Sequence, residues 1–273
     1  MLDRALRPVA AVARAALRPE TYPGHLRELV SLGVTAAVWP LGLADRGAAE
    51  VRRVMASPSG EVETPVLLIH GFAANKSNFL FLQRDLRAAG FGRVHALNYN
   101  PFTTDIPGIA EACAERARCL MDATGADRVH LIGHSLGGII ARYAVQVSGL
   151  EQAATCLTVA SPHRGVPGAA LAPGRTMRQL APGSALMRRL QASSRRLPTR
   201  FVAYYSNLDL LVAGHRAMIV EPALRATNVL VKDEGHLSIL LSRRLGASVL
   251  HELGAAEHLP GYGAALAGLP PAA

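Results

Sequence analysis

The stretch "VHLIGHSLGG", Val129 to Gly138, sets one hydroxyl, Ser135, between Gly133 and Gly137. A serine hydroxyl is a weak nucleophile until a base takes its proton, and the base needs a carboxylate to orient it. Both partners follow later in the chain. "FVAYYSNLDLLV" carries Asp209 in a loop after an apolar run, and "VLVKDEGHLSILL" carries His236 between an apolar run and a helical pattern. Serine, carboxylate and histidine in that order, each at the end of a strand-like run, could attack a carbonyl carbon through a covalent intermediate.

The neighbouring residues sharpen this assignment. Asp233 and Glu234 lie only two or three residues before His236, too close to reach its far ring nitrogen while the near one serves Ser135. His215 is a weaker base candidate because no strand clearly precedes it. Attack on a carbonyl also needs donors for the developing oxyanion. The Leu136 N–H follows the serine at a helix start, and "LLIHGFAANKSNF" places the Phe72 N–H just past the end of an earlier strand. His70 is read as an organiser of that loop rather than a proton carrier, with Gly71 its testable neighbour.

From Thr64 onward, strand-like and helix-like patterns alternate, which predicts an α/β fold with a mostly parallel sheet and helices on both faces. Strands are expected at 65–70, 93–99 and 128–133, in "AATCLTVAS" and "RFVAYYS", and at 227–232. Asp105 and Pro107 open a helix, and "LSILLSRRLGASVLHELG" reads as one closing helix. The glycines two before and two after Ser135 suit a strand-to-helix turn too crowded for a Cβ. Residues 163–198 interrupt the alternation with two short helices broken at Pro182 and Gly183, Ser184 capping the second. An excursion of this kind is expected to act as a lid, offering Leu180, Leu186, Met187 and Leu190 to an oily substrate. Its Arg188, Arg189, Arg195 and Arg196 read as a solvated face.

Of the 273 residues half are hydrophobic and 18% charged, enough for a substantial core, and the formal charge is +9. Lys occurs only at Lys76 and Lys232, so the positive charge is nearly all Arg. Basic balance favours anionic partners, but zinc-finger spacing and RNP-like aromatics are missing, so no nucleic acid is expected. Cys113, Cys119 and Cys156 form no disulfide framework and have no His at ligand spacing, which permits a cytosolic home and predicts no metal. The first sixty residues differ from the rest. Basic "MLDRALRPVAAVARAALRP" precedes the apolar run Leu29 to Ala44, which is too short and too interrupted by Gly33 and Pro40 to span a bilayer readily. No convincing signal peptide is present. Residues 1–60 are therefore expected to form a helical segment that packs on the main domain or touches a membrane surface through residues 1–44. Residues 61–254 are expected to form the main domain, and 255–273 a tail.

The pieces "LLIHGF", "GHSLGG", "ASPHRG", "YSNLDLLV" and "EGHLSIL" together resemble the serine lipases and esterases of the α/β-hydrolase superfamily, in particular compact bacterial lipases with an "HG" oxyanion loop. The resemblance covers about residues 64 to 252. It implies Ser135 as nucleophile, His236 as general base and acid, Asp209 as its orienting carboxylate, and no metal or organic cofactor in the chemical step. The substrate it implies is a small-molecule or lipid ester, and the apolar residues of 163–198 suit an apolar acyl group. The cysteine usage and the N-terminal segment give the expected location, cytoplasmic or at a membrane periphery. An acyltransferase or thioesterase would use the same three residues. A non-catalytic lipid-binding scaffold is the reading of a different class. Oligomeric state is not legible in the chain.

Overall fold

The structure, a computed structural model, describes residues 22–43 and 62–259. Six segments form one sheet: β1 (Val66–Ile69), β2 (Val94–Leu97), β3 (Val129–His134), β4 (Ala153–Val159), β5 (Arg200–Tyr205) and β6 (Thr227–Leu230). They run in the order β2-β1-β3-β4-β5-β6, and every neighbouring pair is parallel. The chain builds outward from β1 to β2, then crosses back to lay β3 on the other side of β1. The strand order therefore reverses between β1 and β3, and a crevice opens beyond their carboxyl ends, where sheets of this type bind ligands.

Side chains alternate across the sheet, so one strand feeds two cores. On one face Leu67, Ile69 and Leu131 meet α3 (Ile106–Thr124) and α4 (Leu136–Gln146). On the other, Val66, Leu68 and Ile132 meet α2 (Leu80–Ala88) and the last helix. Burial on both faces explains why β1 reads as a continuous apolar run. Local signals set the helix ends. The Asp105 carboxylate caps α3 by accepting from the Gly108 N–H at 3.1 Å, and Gly125, at φ 72°, ends the helix in the left-handed region.

The 163–198 excursion forms α5 (Arg175–Gln179) and α6 (Ala185–Ala192), and Ser184 caps α6 by accepting from the Met187 N–H at 3.2 Å. Leu186, Met187 and Leu190 do not face a substrate space; they are buried in the core shared with α3 and α4. The amphipathic spacing that suggested an oily lid is the spacing of a helix docked on the domain. A short helix, α7 (Gly214–Ala217), follows β5.

The closing helix also differs from expectation. Ser242, extended at φ −71° and ψ 123°, splits it into a 3₁₀ turn at Ser238–Leu241 and α8 (Arg243–Ala256). The fold continues past residue 254. Glu257 accepts from Thr64 Oγ1 at 2.9 Å and from His130 Nε2 at 3.0 Å, tying this end of the chain to the sheet.

Upstream, α1 (Tyr22–Val38) and a 3₁₀ turn at Trp39–Gly42 lie against the loops at the carboxyl ends of the strands. Asn75 Nδ2 donates to the Trp39 carbonyl at 2.9 Å and Asn98 Nδ2 to the Gly42 carbonyl at 2.7 Å. No helix among the described residues is long and apolar enough to cross a membrane. The basic stretch 1–19 and the tail beyond 259 lie outside the described residues.

Candidate active site

Ser135 sits between β3 and α4 at φ 53° and ψ −120°, a conformation costly for any residue with a Cβ. The surroundings hold it there. Its N–H donates to the Val159 carbonyl at 2.8 Å. A Cβ on Gly133 would stand 2.4 Å from the Gly137 backbone, and one on Gly137 would stand 1.9 Å from the Ile69 carbonyl oxygen. Only glycine at both positions lets the turn close this tightly, which leaves the serine hydroxyl standing above the sheet.

His236 follows β6 and Asp209 follows β5. The Asp209 carboxylate can only accept, so His236 Nδ1 donates to its Oδ2 at 2.8 Å, leaving Nε2 to accept from Ser135 Oγ at 3.0 Å. The other carboxylate oxygen of Asp209 accepts from the Leu211 and Val212 N–H groups at 2.9 and 2.8 Å. Those two bonds fix the carboxylate while its Oδ2 faces the ring. The rival acids are engaged elsewhere. Asp233 accepts from Asn207 Nδ2 at 3.0 Å, and Glu234 accepts from Ser238 Oγ at 2.8 Å. His215 lies on α7 and takes no part in the cluster.

The loop after β1 passes beside the serine: a Cβ on Gly71 would stand 3.1 Å from that of Ser135. Neither the Phe72 nor the Leu136 N–H donates to another described residue, and both residues border the same cavity as Ser135. His70 organises this loop. Its Nδ1 donates to the Gly71 carbonyl at 2.8 Å, its ring stacks on Tyr99 at 4.1 Å, and Tyr99 Oη donates to the His70 carbonyl at 2.5 Å. Burial lowers the His70 pKa to about 4, against the opposing pull of the bond to Gly71, so the ring stays neutral.

Two contributors escaped the sequence reading. His134, within the "GHS" stretch, donates from Nε2 to the His236 carbonyl at 2.9 Å, and its ring lies 4.9 Å from that of His236. Burial lowers its pKa to about 3, assisted by the neighbouring His236 and opposed by the bond to that carbonyl. The second is α1, whose His25, Glu28, Leu29 and Leu32 form one wall of the cavity. No local signal ties those residues to a site two hundred positions away. His134 did carry a signal, since an imidazole at the end of a buried strand needs a partner.

The cavity above Ser135 and His236 has a volume of about 540 Å³ and is lined mostly by apolar side chains, among them Val166, Met177, Leu180 and Leu208. That size suits a small-molecule ligand. Of the four lid residues expected to face substrate, only Leu180 borders it.

A family model described as the alpha/beta hydrolase fold matches residues 64–233. A triacylglycerol lipase of Burkholderia plantarii is 32% identical over 145 residues, covering 48% of this chain and 40% of that protein. Another, of Pseudarthrobacter phenanthrenivorans, is 36% identical over 109 residues, covering 37% and 34%. The matches thus span well under half the length of these curated relatives. Among solved structures, the mature form of a Bacillus licheniformis lipase superposes with a TM-score of 0.59 at 17% identity, covering 72% of this chain and 92% of that one.

Proposed function

This chain belongs to the α/β-hydrolase fold family, and we propose that within it the protein hydrolyses carboxylic esters with apolar acyl groups. The observation that carries the reading is the hydrogen-bonded line Asp209–His236–Ser135, at 2.8 and 3.0 Å, opening into an apolar cavity. In the proposed cycle Ser135 Oγ attacks the ester carbonyl carbon while His236 Nε2 takes its proton. The Phe72 and Leu136 N–H groups receive the oxyanion. As the tetrahedral intermediate collapses, His236 returns the proton to the departing alcohol. Water, deprotonated by the same nitrogen, then cleaves the acyl-enzyme. Asp209 stabilises the imidazolium that forms twice in this cycle.

The same reading places the substrate at a lipid surface. Leu29, Leu32, Leu210 and Leu211 border the cavity yet are more than half exposed, so the mouth is ringed with oily side chains. Contact with a membrane periphery through α1 is part of this proposal.

A chain-length series of nitrophenyl esters tests it. Turnover should rise with acyl length, and Ser135→Ala should abolish it. Asp209→Asn should lower kcat by about 10⁴-fold, through the wrong histidine tautomer. Absence of turnover on every ester, or full activity in Ser135→Ala, would overturn the reading.

A further inference from the structure

Helix α1 precedes the stretch that the family model matches, yet it grips the loop that carries His236. The Glu28 carboxylate accepts the Leu237 N–H at 2.9 Å (Oε1) and 3.1 Å (Oε2), and the Ser238 N–H at 2.8 Å (Oε2). These are the two residues directly after His236. Two glycines permit the approach. A Cβ on Gly235 would stand 2.3 Å from Glu28 Oε2, and a Cβ on Gly24 would stand 2.3 Å from the Leu208 side chain and 3.0 Å from the Asp233 carbonyl oxygen. Arg27 adds a hydrogen bond to that Asp233 carbonyl and lies 3.6 Å from the Glu234 carboxylate.

The same loop is also held from the sheet side. His134 donates to the His236 carbonyl, and Ser206 Oγ donates to the Glu234 carbonyl at 2.5 Å. His236 therefore hangs on a loop pinned from two directions. The sheet-side pins sit before and at the histidine, whereas among the described residues Glu28 alone holds the two amides after it. Hydrophobic packing does not explain the grip: Gly24 and Ser31 are the only buried residues of α1. A charged acceptor shared by two backbone donors is the stronger kind of hydrogen bond.

We infer that Glu28 is a positioning residue: it clamps the Leu237–Ser238 amides and so aims His236 Nε2 at Ser135, making α1 a working part of the active site. This rests on the ester-hydrolase reading, because a misaimed imidazole matters only if it transfers protons. Misplacement of a catalytic group by about 1 Å costs on the order of 100-fold in rate. With the sheet-side pins intact, the loss on releasing Glu28 should be smaller, about tenfold.

Two variants of the full chain, Glu28→Ala and Glu28→Gln, test this by ester kinetics and by hydrogen exchange. Glu28→Ala should lower kcat about tenfold with KM within about twofold, because the loss falls on proton transfer rather than binding. It should also speed exchange of the Leu237 and Ser238 amides. Glu28→Gln should recover most of the loss, since one carbonyl oxygen at the Oε2 position can take both donors. The inference is overturned if Glu28→Ala keeps kcat within about twofold of wild type, changes KM alone, or is no worse than Glu28→Gln. If wild type turns over no ester, the functional reading fails. Amide exchange then judges the clamp by itself: faster exchange in Glu28→Ala upholds it, and unchanged exchange removes it.

Discussion

Two segments of this chain stand outside the regular strand–helix alternation, and their apolar residues go to opposite places. In the 163–198 excursion, Leu186, Met187 and Leu190 point into the domain and are buried. In α1, Leu26, Leu29, Val30 and Leu32 are each more than half exposed, and this helix and the turn after it are held by polar anchors at Glu28, Trp39 and Gly42 instead. The first is attached by burial and leaves its arginines in water. The second is attached by hydrogen bonds and leaves its oil facing out. Apolar content alone could not tell them apart; what decides is whether a partner surface lies within reach. A segment anchored by a few polar contacts can also be displaced at lower cost than one sunk in a core, which suits an element beside a cavity mouth.

Substitutions in either segment separate attachment by burial from attachment by polar anchors. The largest effect should come from the buried one: Leu190→Ala should destabilise the fold by about 2–5 kcal/mol, read as a fall in Tm of about 5–15 °C, with kcat per folded molecule little changed. A loss much below 1 kcal/mol would mean the excursion is as loosely held as α1. The pin on the sheet side of the His236 loop should show in the pH dependence of stability. His134 is held neutral in the fold, its pKa lowered to about 3, whereas the unfolded chain binds a proton below about 6.5. The stability due to its neutral form is therefore fully present above pH 6.5 and lost as pH falls toward 3. The stability gap between wild type and His134→Gln should narrow by up to about 1.4 kcal/mol per pH unit across that window, measured by urea unfolding. Gly24→Ala should be milder. Its new Cβ meets the Leu208 side chain and the Asp233 carbonyl, and relief requires α1 to lift. A fall in kcat/KM of about three- to tenfold with under about 1 kcal/mol of lost stability is expected. The smallest change in stability belongs to Leu29→Ala, within about 0.5 kcal/mol, but its signature should be specificity: KM for long-chain esters rises while that for short-chain esters does not.

Much of the fold was legible because chemistry and crowding each demand particular residues. Gly133 and Gly137 announce the turn that Ser135 occupies, and the runs that become strands are short and bounded. The positions of Asp209 and His236 after strands are visible in the sequence, and the structure brings both side chains into one hydrogen-bonded line with Ser135. What stayed hidden depends on tertiary neighbours. The contact between Glu28 and Leu237 joins positions 209 residues apart, and nothing in either local pattern anticipates it. The break at Ser242 was masked by leucines whose helical spacing continues across it. Val166, Met177 and Leu180 of the excursion do border the cavity, whereas Leu186, Met187 and Leu190 do not; an amphipathic helix advertises an apolar stripe without naming what covers it.

The most direct check on the central claim is covalent. Intact protein treated with a fluorophosphonate and digested for mass spectrometry should carry the adduct on Ser135, with labelling slowed by at least about 10³-fold in His236→Ala. A folded sample that takes no label, or one that carries it on another residue, would contradict the account.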